Sequence, residues 1–170
     1  MMDKILSFEH QQAVKPCSVN NIEEWTQFRN EVVRSELRRL LGPVMAANIT
    51  AAPENYTDLL EGDTLEYCGS EITHEGLRFV LAYMVYARYV TEQHLKDTFT
   101  GIVKKVRSEA ESAGEGELRR LERGALQIAN DEFVLIDMYL CQNASLYPDY
   151  KKNIKSPSRG KKIFEPIRRV

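Results

Sequence analysis

The chain has 170 residues, of which 43% are apolar and 28% are charged, and its formal net charge is −2. This composition is typical of a folded single domain and excludes a disordered chain, a collagen-like chain and a strongly basic nucleic-acid-binding protein. A chain of this length needs neither disulfides nor a structural metal to fold.

Three further features of the sequence bear on where the protein is found in the cell. The longest stretch without a formal charge covers residues 40–53, which is shorter than the roughly 20 apolar residues of a membrane-spanning helix. The first residues lack the apolar core of a secretory signal. The three cysteines form no Cys-x-x-Cys pair, so we expect free thiols in a reducing cytosol. Because no stretch is long enough to span a bilayer, we also expect no membrane partner.

We predict a mainly α fold: a bundle of three main helices with short strand or extended-arm elements and an extended tail. Residues 1–20 are assigned to an extended N-terminal arm, because residues 3–8 have a short extended character. Residues 21–148 form the helical domain, and residues 149–170 form the extended, basic tail.

The first predicted helix begins after the cap residues Asn20 and Asn21 and ends at Gly42 and Pro43. Apolar residues recur at spacings of three and four from Ile22 onward, which is typical of an amphipathic helix. Residues 55–69, which lie between the first and second predicted helices, are predicted to form either an irregular connection or a hairpin.

The second predicted helix covers about residues 73–95. Apolar residues occupy nearly every face of this segment, so we expect it to be central and enclosed. Arg78 and Arg88 interrupt it and need acidic partners if they are enclosed.

Residues 98–107 alternate in the manner of a strand and are rich in β-branched residues. Two alternatives are open for this strand. It pairs with the N-terminal segment or the hairpin of its own chain, or it pairs with a neighbouring subunit, because an exposed strand edge is a template for strand addition. The candidate inter-subunit residues are Thr98, Phe99, Thr100, Gly101, Ile102, Val103, Lys104 and Lys105.

The third predicted helix runs from residue 116 or 117 to about residue 144. Its length of roughly 42 Å suggests that one end contacts something outside its own domain. Pro148 stops it.

Charge is divided unevenly along the chain. The last 20 residues contain eight Lys or Arg and one Glu, a net charge of +7, whereas residues 1–150 have a net charge of −9. The tail is interpreted either as a solvated terminus or as an arm that becomes ordered on a portal protein or a neighbouring subunit. Its candidate contact residues are Lys151, Lys152, Ile154, Lys155, Arg159, Lys161, Lys162, Ile163, Phe164, Ile167, Arg168 and Arg169.

The sequence contains no recognisable catalytic or cofactor-binding pattern. The histidines at 10, 74 and 94 lack the spacing of metal ligands, and no phosphate-binding glycine loop or nucleophile elbow is present. We therefore expect no enzyme activity and no cofactor.

Five segments together resemble the head-to-tail connector (adaptor) proteins of tailed bacteriophages, in particular those of phages of gut anaerobes, including crAss-like phages. The resemblance depends on the order of the segments and covers roughly residues 30–150. The segments are residues 36–42 (ELRRLLG), 55–62 (NYTDLLEG), 76–90 (GLRFVLAYMVYARYV), 98–105 (TFTGIVKK) and 141–150 (CQNASLYPDY).

The resemblance implies a helical subunit of a virion ring, commonly of twelve copies, beneath the portal of the capsid. The ring is assembled in the host cytoplasm, extends the DNA channel without reading the DNA sequence, and docks the next tail or connector ring. Two alternatives are a tail-completion or terminator ring protein, and a small helical protein that binds DNA through its basic tail.

Overall fold

The computed structural model describes residues 2–19, 21–92, 95–98, 101–104 and 115–150. In these ranges the chain is mainly helical, with six α-helices, two 3-10 helices and two β-hairpins. The 3-10 helices are Met2–Lys4 and Pro53–Tyr56. The α-helices are α1 (Phe8–Val14), α2 (Ile22–Leu41), α3 (Pro43–Ala51), α4 (Thr57–Glu61), α5 (Gly76–Glu92) and α6 (Glu115–Gln142), and the strands are β1 (Asp63–Tyr67), β2 (Ser70–His74), β3 (Leu95–Thr98) and β4 (Gly101–Lys104).

Helix α5 lies at the centre of the fold, where it contacts α1, α2, α4 and α6. Many of its apolar side chains, including Leu77, Leu81 and Val85, are fully buried. The predicted enclosure of this helix is therefore confirmed. Its start is later than predicted because Thr73 and His74 belong to β2.

Both arginines of α5 have an acidic partner, although only Arg78 is largely buried. Arg78 Nη1 lies 2.5 Å from Glu61 Oε1, and Arg88 Nη2 lies 2.6 Å from Glu36 Oε1. Glu36 is only 5% exposed, and its second oxygen accepts a 2.5 Å hydrogen bond from Arg39 Nε. The buried carboxylate is thus paired on both oxygens, which offsets the cost of its desolvation.

The N-terminal segment is helical rather than extended, so the predicted arm over residues 1–20 is wrong for residues 2–14. Ser7 and His10 form a capping box that starts α1. Ile5 and Leu6 are fully buried in the core. The buried Arg29 fixes this segment by donating to the carbonyl of Leu6 at 2.7 Å.

Helix α2 confirms the first predicted helix, with Asn21 as its N-cap and Gly42 at its end. Gly42 has φ +87° and separates two helices, because Pro43 opens α3 instead of only ending α2. The periodicity of the sequence does not predict α3.

Strands β1 and β2 form an antiparallel hairpin that pairs Leu65 with Ile72 and Glu66 with Glu71. Cys68 and Gly69 occupy its turn with φ +51° and +77°, the two positive φ values of a type I′ turn. Of the two alternatives for residues 55–69, the hairpin is therefore present, and it follows α4.

Of the two alternatives for the predicted strand over residues 98–107, pairing with the N-terminal segment or with the β1–β2 hairpin is wrong. Thr98 ends β3 and faces Gly101, the first residue of β4, so the two strands form an antiparallel hairpin of their own. The sequence pattern places Leu95 at the end of a helix and Thr98 in the predicted strand, so it does not identify Leu95–Thr98 as a separate partner strand. The N-terminal segment offers no strand because it is helical.

Helix α6 confirms the third predicted helix to within two residues at each end. Its C-terminal half contacts β1 and β2. Tyr139 Oη donates to Asp63 Oδ2 at 2.9 Å, and Gln142 Nε2 donates to the carbonyl of Glu66 at 2.6 Å. The length of this helix at its C-terminal end is thus accounted for by a contact within the chain itself.

Substitution of two glycines tests how closely the backbone at the start of α5 approaches the backbone at the end of α4. Gly76 has φ +81°, and a Cβ there would lie 2.5 Å from the carbonyl oxygen of Leu60. Gly124 lies within α6 and has open space around it. We expect Gly76→Ala to lower the free energy of unfolding by about 3 kcal/mol through strain and overpacking, and Gly124→Ala to raise it by about 0.5–1 kcal/mol.

Urea denaturation followed by circular dichroism measures both effects. Equal midpoints for the wild type and Gly76→Ala would contradict the close backbone approach between α4 and α5.

Candidate interaction surface

The structure places part of the predicted inter-subunit strand in the β3–β4 hairpin. Thr98 ends β3, and Gly101, Ile102, Val103 and Lys104 form β4. Phe99, Thr100 and Lys105 lie outside the described residues. Among the described strands, β3 and β4 pair only with each other, so each has one edge without a described partner.

The twelve predicted contact residues of the tail, from Lys151 to Arg169, also lie outside the described residues. The segment that contains them, residues 151–170, is called the basic segment below. Tyr150, which directly precedes it, donates a hydrogen bond to the carboxylate of Asp137 on α6. Burial, followed by this contact with Asp137, raises the pKa of Tyr150. The basic segment therefore begins from a point that is fixed on α6.

The body of the chain has a strongly acidic region that sequence patterning did not identify. Residues 54–77 contain seven Asp or Glu, residues 124–150 contain four, and neither range contains Lys or Arg. The two ranges pack on each other through α6, β1 and β2. Eleven acidic residues are thus gathered in one part of the fold, and the rest of residues 1–150 has a net charge of +2.

Six of these carboxylates are exposed on α4, on the β1–β2 hairpin and its junction with α5, and on α6, and we call this surface the acidic face. They are Asp58, Glu61, Glu66, Glu71, Glu75 and Asp131. Arg78 pairs with Glu61. The peptide nitrogen of Glu75 donates to Glu132 Oε1 at 2.6 Å, which holds the end of the hairpin against α6.

The centre of the acidic face is a pair of like charges. Glu66 and Glu71 are directly opposite each other in the β1–β2 register, and both are exposed. Like charges in this arrangement destabilise a hairpin. Neither carboxylate forms an ion pair with any of the described residues.

Exposed apolar side chains lie on the same elements. Tyr67 at the end of β1, Val134 on α6 and Leu146 after α6 are 48%, 57% and 68% exposed. The surface near the hairpin therefore offers apolar contacts as well as negative charge, a combination found in protein-binding surfaces.

Beneath the acidic face lies a buried aromatic pair. His74 is 1% exposed, and its ring centroid lies 4.7 Å from that of Tyr139. Neither ring nitrogen of His74 has a hydrogen-bond partner among the described residues. Burial lowers the pKa of His74, against the opposing effect of the Asp63 and Glu75 charges. Burial also raises the pKa of Tyr139, so both rings are neutral packing groups.

The described ranges contain no group of three or more His, Cys, Asp or Glu side chains arranged to hold a metal ion.

An open groove of about 530 Å³ lies between α2 and α3 and is lined by Met2, Leu37 and Ala46 together with the exposed Arg34 and Arg38. None of the helices in the described part of the chain combines the length and apolar character needed to cross a membrane.

Sequence reasoning placed the contacts on residues 98–105 and 151–169 and missed the acidic face. The signal that would have located it is the absence of Lys and Arg from both ranges that build the face. The pairing of Glu66 with Glu71 depends on the hairpin register and had no sequence signal of its own.

A family model matches residues 37–160, which include α3 to α6, both hairpins and the first half of the basic segment. The chain belongs to DUF6712, a family of unknown function. No curated protein and no solved structure matches it.

The burial of His74 makes the stability of the protein depend on pH. Because its folded-state pKa lies below the ordinary value of 6.5, the unfolded chain binds more protons as the pH falls through 6.5. The free energy of unfolding therefore falls from about pH 6.5 down to the folded-state pKa, by up to about 1.4 kcal/mol per pH unit.

We expect His74→Phe to flatten this dependence between about pH 7 and pH 5, measured as the urea midpoint. His10→Gln, which keeps a side chain suited to the capping box, is the matched control and should retain the slope. An unchanged slope in His74→Phe would show that other groups cause it.

Proposed function

We propose that this chain is a structural subunit of a tailed-bacteriophage virion. In this proposal, copies assemble into a ring beneath the portal, extend the DNA channel and dock the next ring of the tail. The protein acts at the capsid–tail junction through contacts with its own copies and with adjacent virion proteins.

The observation that carries the proposal is the separation of strong opposite charges on one chain. The two chain ranges that build the acidic face contain eleven carboxylates and no Lys or Arg, and they precede a segment of net charge +7. Such a chain is suited to contacts between copies, because each copy offers both halves of a complementary pair. The two edges of the β3–β4 hairpin that have no partner among the described strands offer a second kind of contact.

The channel role is supported by the net charge of −9 over residues 1–150. A negatively charged wall repels the phosphates of a passing duplex and limits its adhesion. The resemblance to connector proteins covers the same residues that form α5, the β3–β4 hairpin and α6, and the family match covers them as well.

A second candidate, direct DNA binding, is favoured by one observation. The eight Lys and Arg residues among the last 20 resemble the basic arms of DNA-binding proteins. The acidic body opposes this candidate because it repels DNA at moderate salt. A tail-completion or terminator ring uses the same kinds of contact as the portal-proximal ring and is distinguished by its binding partner.

Electron microscopy of the purified chain mixed with the portal protein of the same phage tests the proposal. Twelve copies of a 19.6 kDa chain give a ring of about 235 kDa, and we expect rings of this kind on the portal. A chain truncated after Tyr150 should keep its helical circular-dichroism spectrum and lose attachment to the portal. Absence of the protein from purified virions would contradict the proposal. Normal particle completion by the truncated chain would contradict the role of the basic segment.

A DNA titration at two salt concentrations distinguishes the second candidate. For a connector subunit we expect weak binding that does not select a sequence. Submicromolar affinity that falls steeply with added salt would favour direct DNA binding instead.

A further inference from the structure

The acidic face and the basic segment are complementary in two respects. The face is built by chain ranges with eleven acidic and no basic residues, whereas the segment has eight basic residues and one acidic residue. The exposed Tyr67 and Val134 lie on elements of the face, and the exposed Leu146 lies just after α6. The segment has apolar residues of its own, namely Ile154, Ile163, Phe164 and Ile167.

The hairpin at the centre of the face carries a charge repulsion that the described residues leave uncompensated. Glu66 and Glu71 oppose each other across the hairpin, and no described Lys or Arg forms an ion pair with either of them. A cationic side chain placed between two such carboxylates converts the repulsion into two attractions. The pair therefore points to a partner that is rich in Lys or Arg.

The basic segment also has the reach to find such a site on another molecule. It starts directly after Tyr150, whose hydroxyl is bound to Asp137 on α6. Its 20 residues span up to about 66 Å when fully extended, which exceeds the roughly 42 Å length of the 28-residue α6.

We infer that the acidic face is the docking site for the basic segment of a neighbouring copy of this chain. The inference rests on the proposed assembly into a ring, in which each copy gives its segment to one neighbour and receives the segment of the other. Contacts of this head-to-tail kind close into a ring when the rotation between copies allows it. Lys residues of the segment pair with Glu66 and Glu71, and its apolar residues contact the exposed apolar side chains near the hairpin.

Carbodiimide coupling of the full chain, with half of the molecules labelled with ¹⁵N, tests this inference. The coupling joins Lys amines to nearby carboxylates, and the label separates links between copies from links within one copy. We expect links between copies from Lys151, Lys152 and Lys155 to Asp58, Glu75 and Asp131, which remain available in all the variants below. High salt should reduce these links because exposed charges are screened.

A charge reversal and its rescue make the test specific. Glu66→Lys with Glu71→Lys should lower the yield of these inter-copy links by about tenfold or more. Adding Lys161→Glu and Lys162→Glu should restore the links. Glu31→Lys with Glu92→Lys, which makes the same charge change at exposed positions outside the face, is the matched control and should leave the yield unchanged.

Circular dichroism checks that each variant is folded, and Glu66→Gln with Glu71→Gln replaces the reversal if that variant unfolds. Unchanged links in the folded variant, or links confined to single copies, would overturn the inference. Rings on the portal without inter-copy links to the face would overturn the docking site and leave the proposed function intact. Inter-copy links to the face in a protein that does not bind the portal would support the docking site and count against the proposed function.

Discussion

The enclosure of α5 is the constraint on which the rest of the structure depends. Four other helices contact this helix, and both of its arginines pair with carboxylates. Arg78 reaches Glu61 and the carbonyls of Lys4 and Ile5, and in doing so ties α4 and the N-terminal segment to the centre. Arg88 reaches Glu36 and joins α5 to α2 in the same way.

Helix α6 connects this core to the acidic face. Its buried side chains, such as Ala129 and Ile136, complete the cover of α5, while its C-terminal half holds the β1–β2 hairpin through Tyr139 and Gln142. The hairpin has only two strands and would be marginal alone. Packing against α6 therefore holds Glu66 and Glu71 in opposed positions, although their mutual repulsion favours separation.

Much of the helical architecture could be predicted from the sequence, because periodic apolar residues and capping groups are local signals. The bounds of α2 and α6 and the central position of α5 follow from such signals. The prediction for the N-terminal segment is wrong because Ile5 and Leu6 are held by contacts with the distant core, and because its capping box has His10 where the usual sequence pattern has Glu or Gln. The β3–β4 pairing was missed for a related reason: a four-residue strand next to a helix end has too short a pattern to be told from the last helical turn.

Some features of the candidate site could likewise be predicted from the sequence, whereas others depend on the fold. The amino-acid sequence alone determined the charge of the basic segment, the acidity of the body and the lack of a catalytic pattern, because these are properties of composition and spacing. Only the tertiary structure decided that residues 54–77 and 124–150 pack against each other and that Glu66 faces Glu71. The physical reason is that repulsion and complementarity act through space, so their effect depends on which distant segments the core brings together.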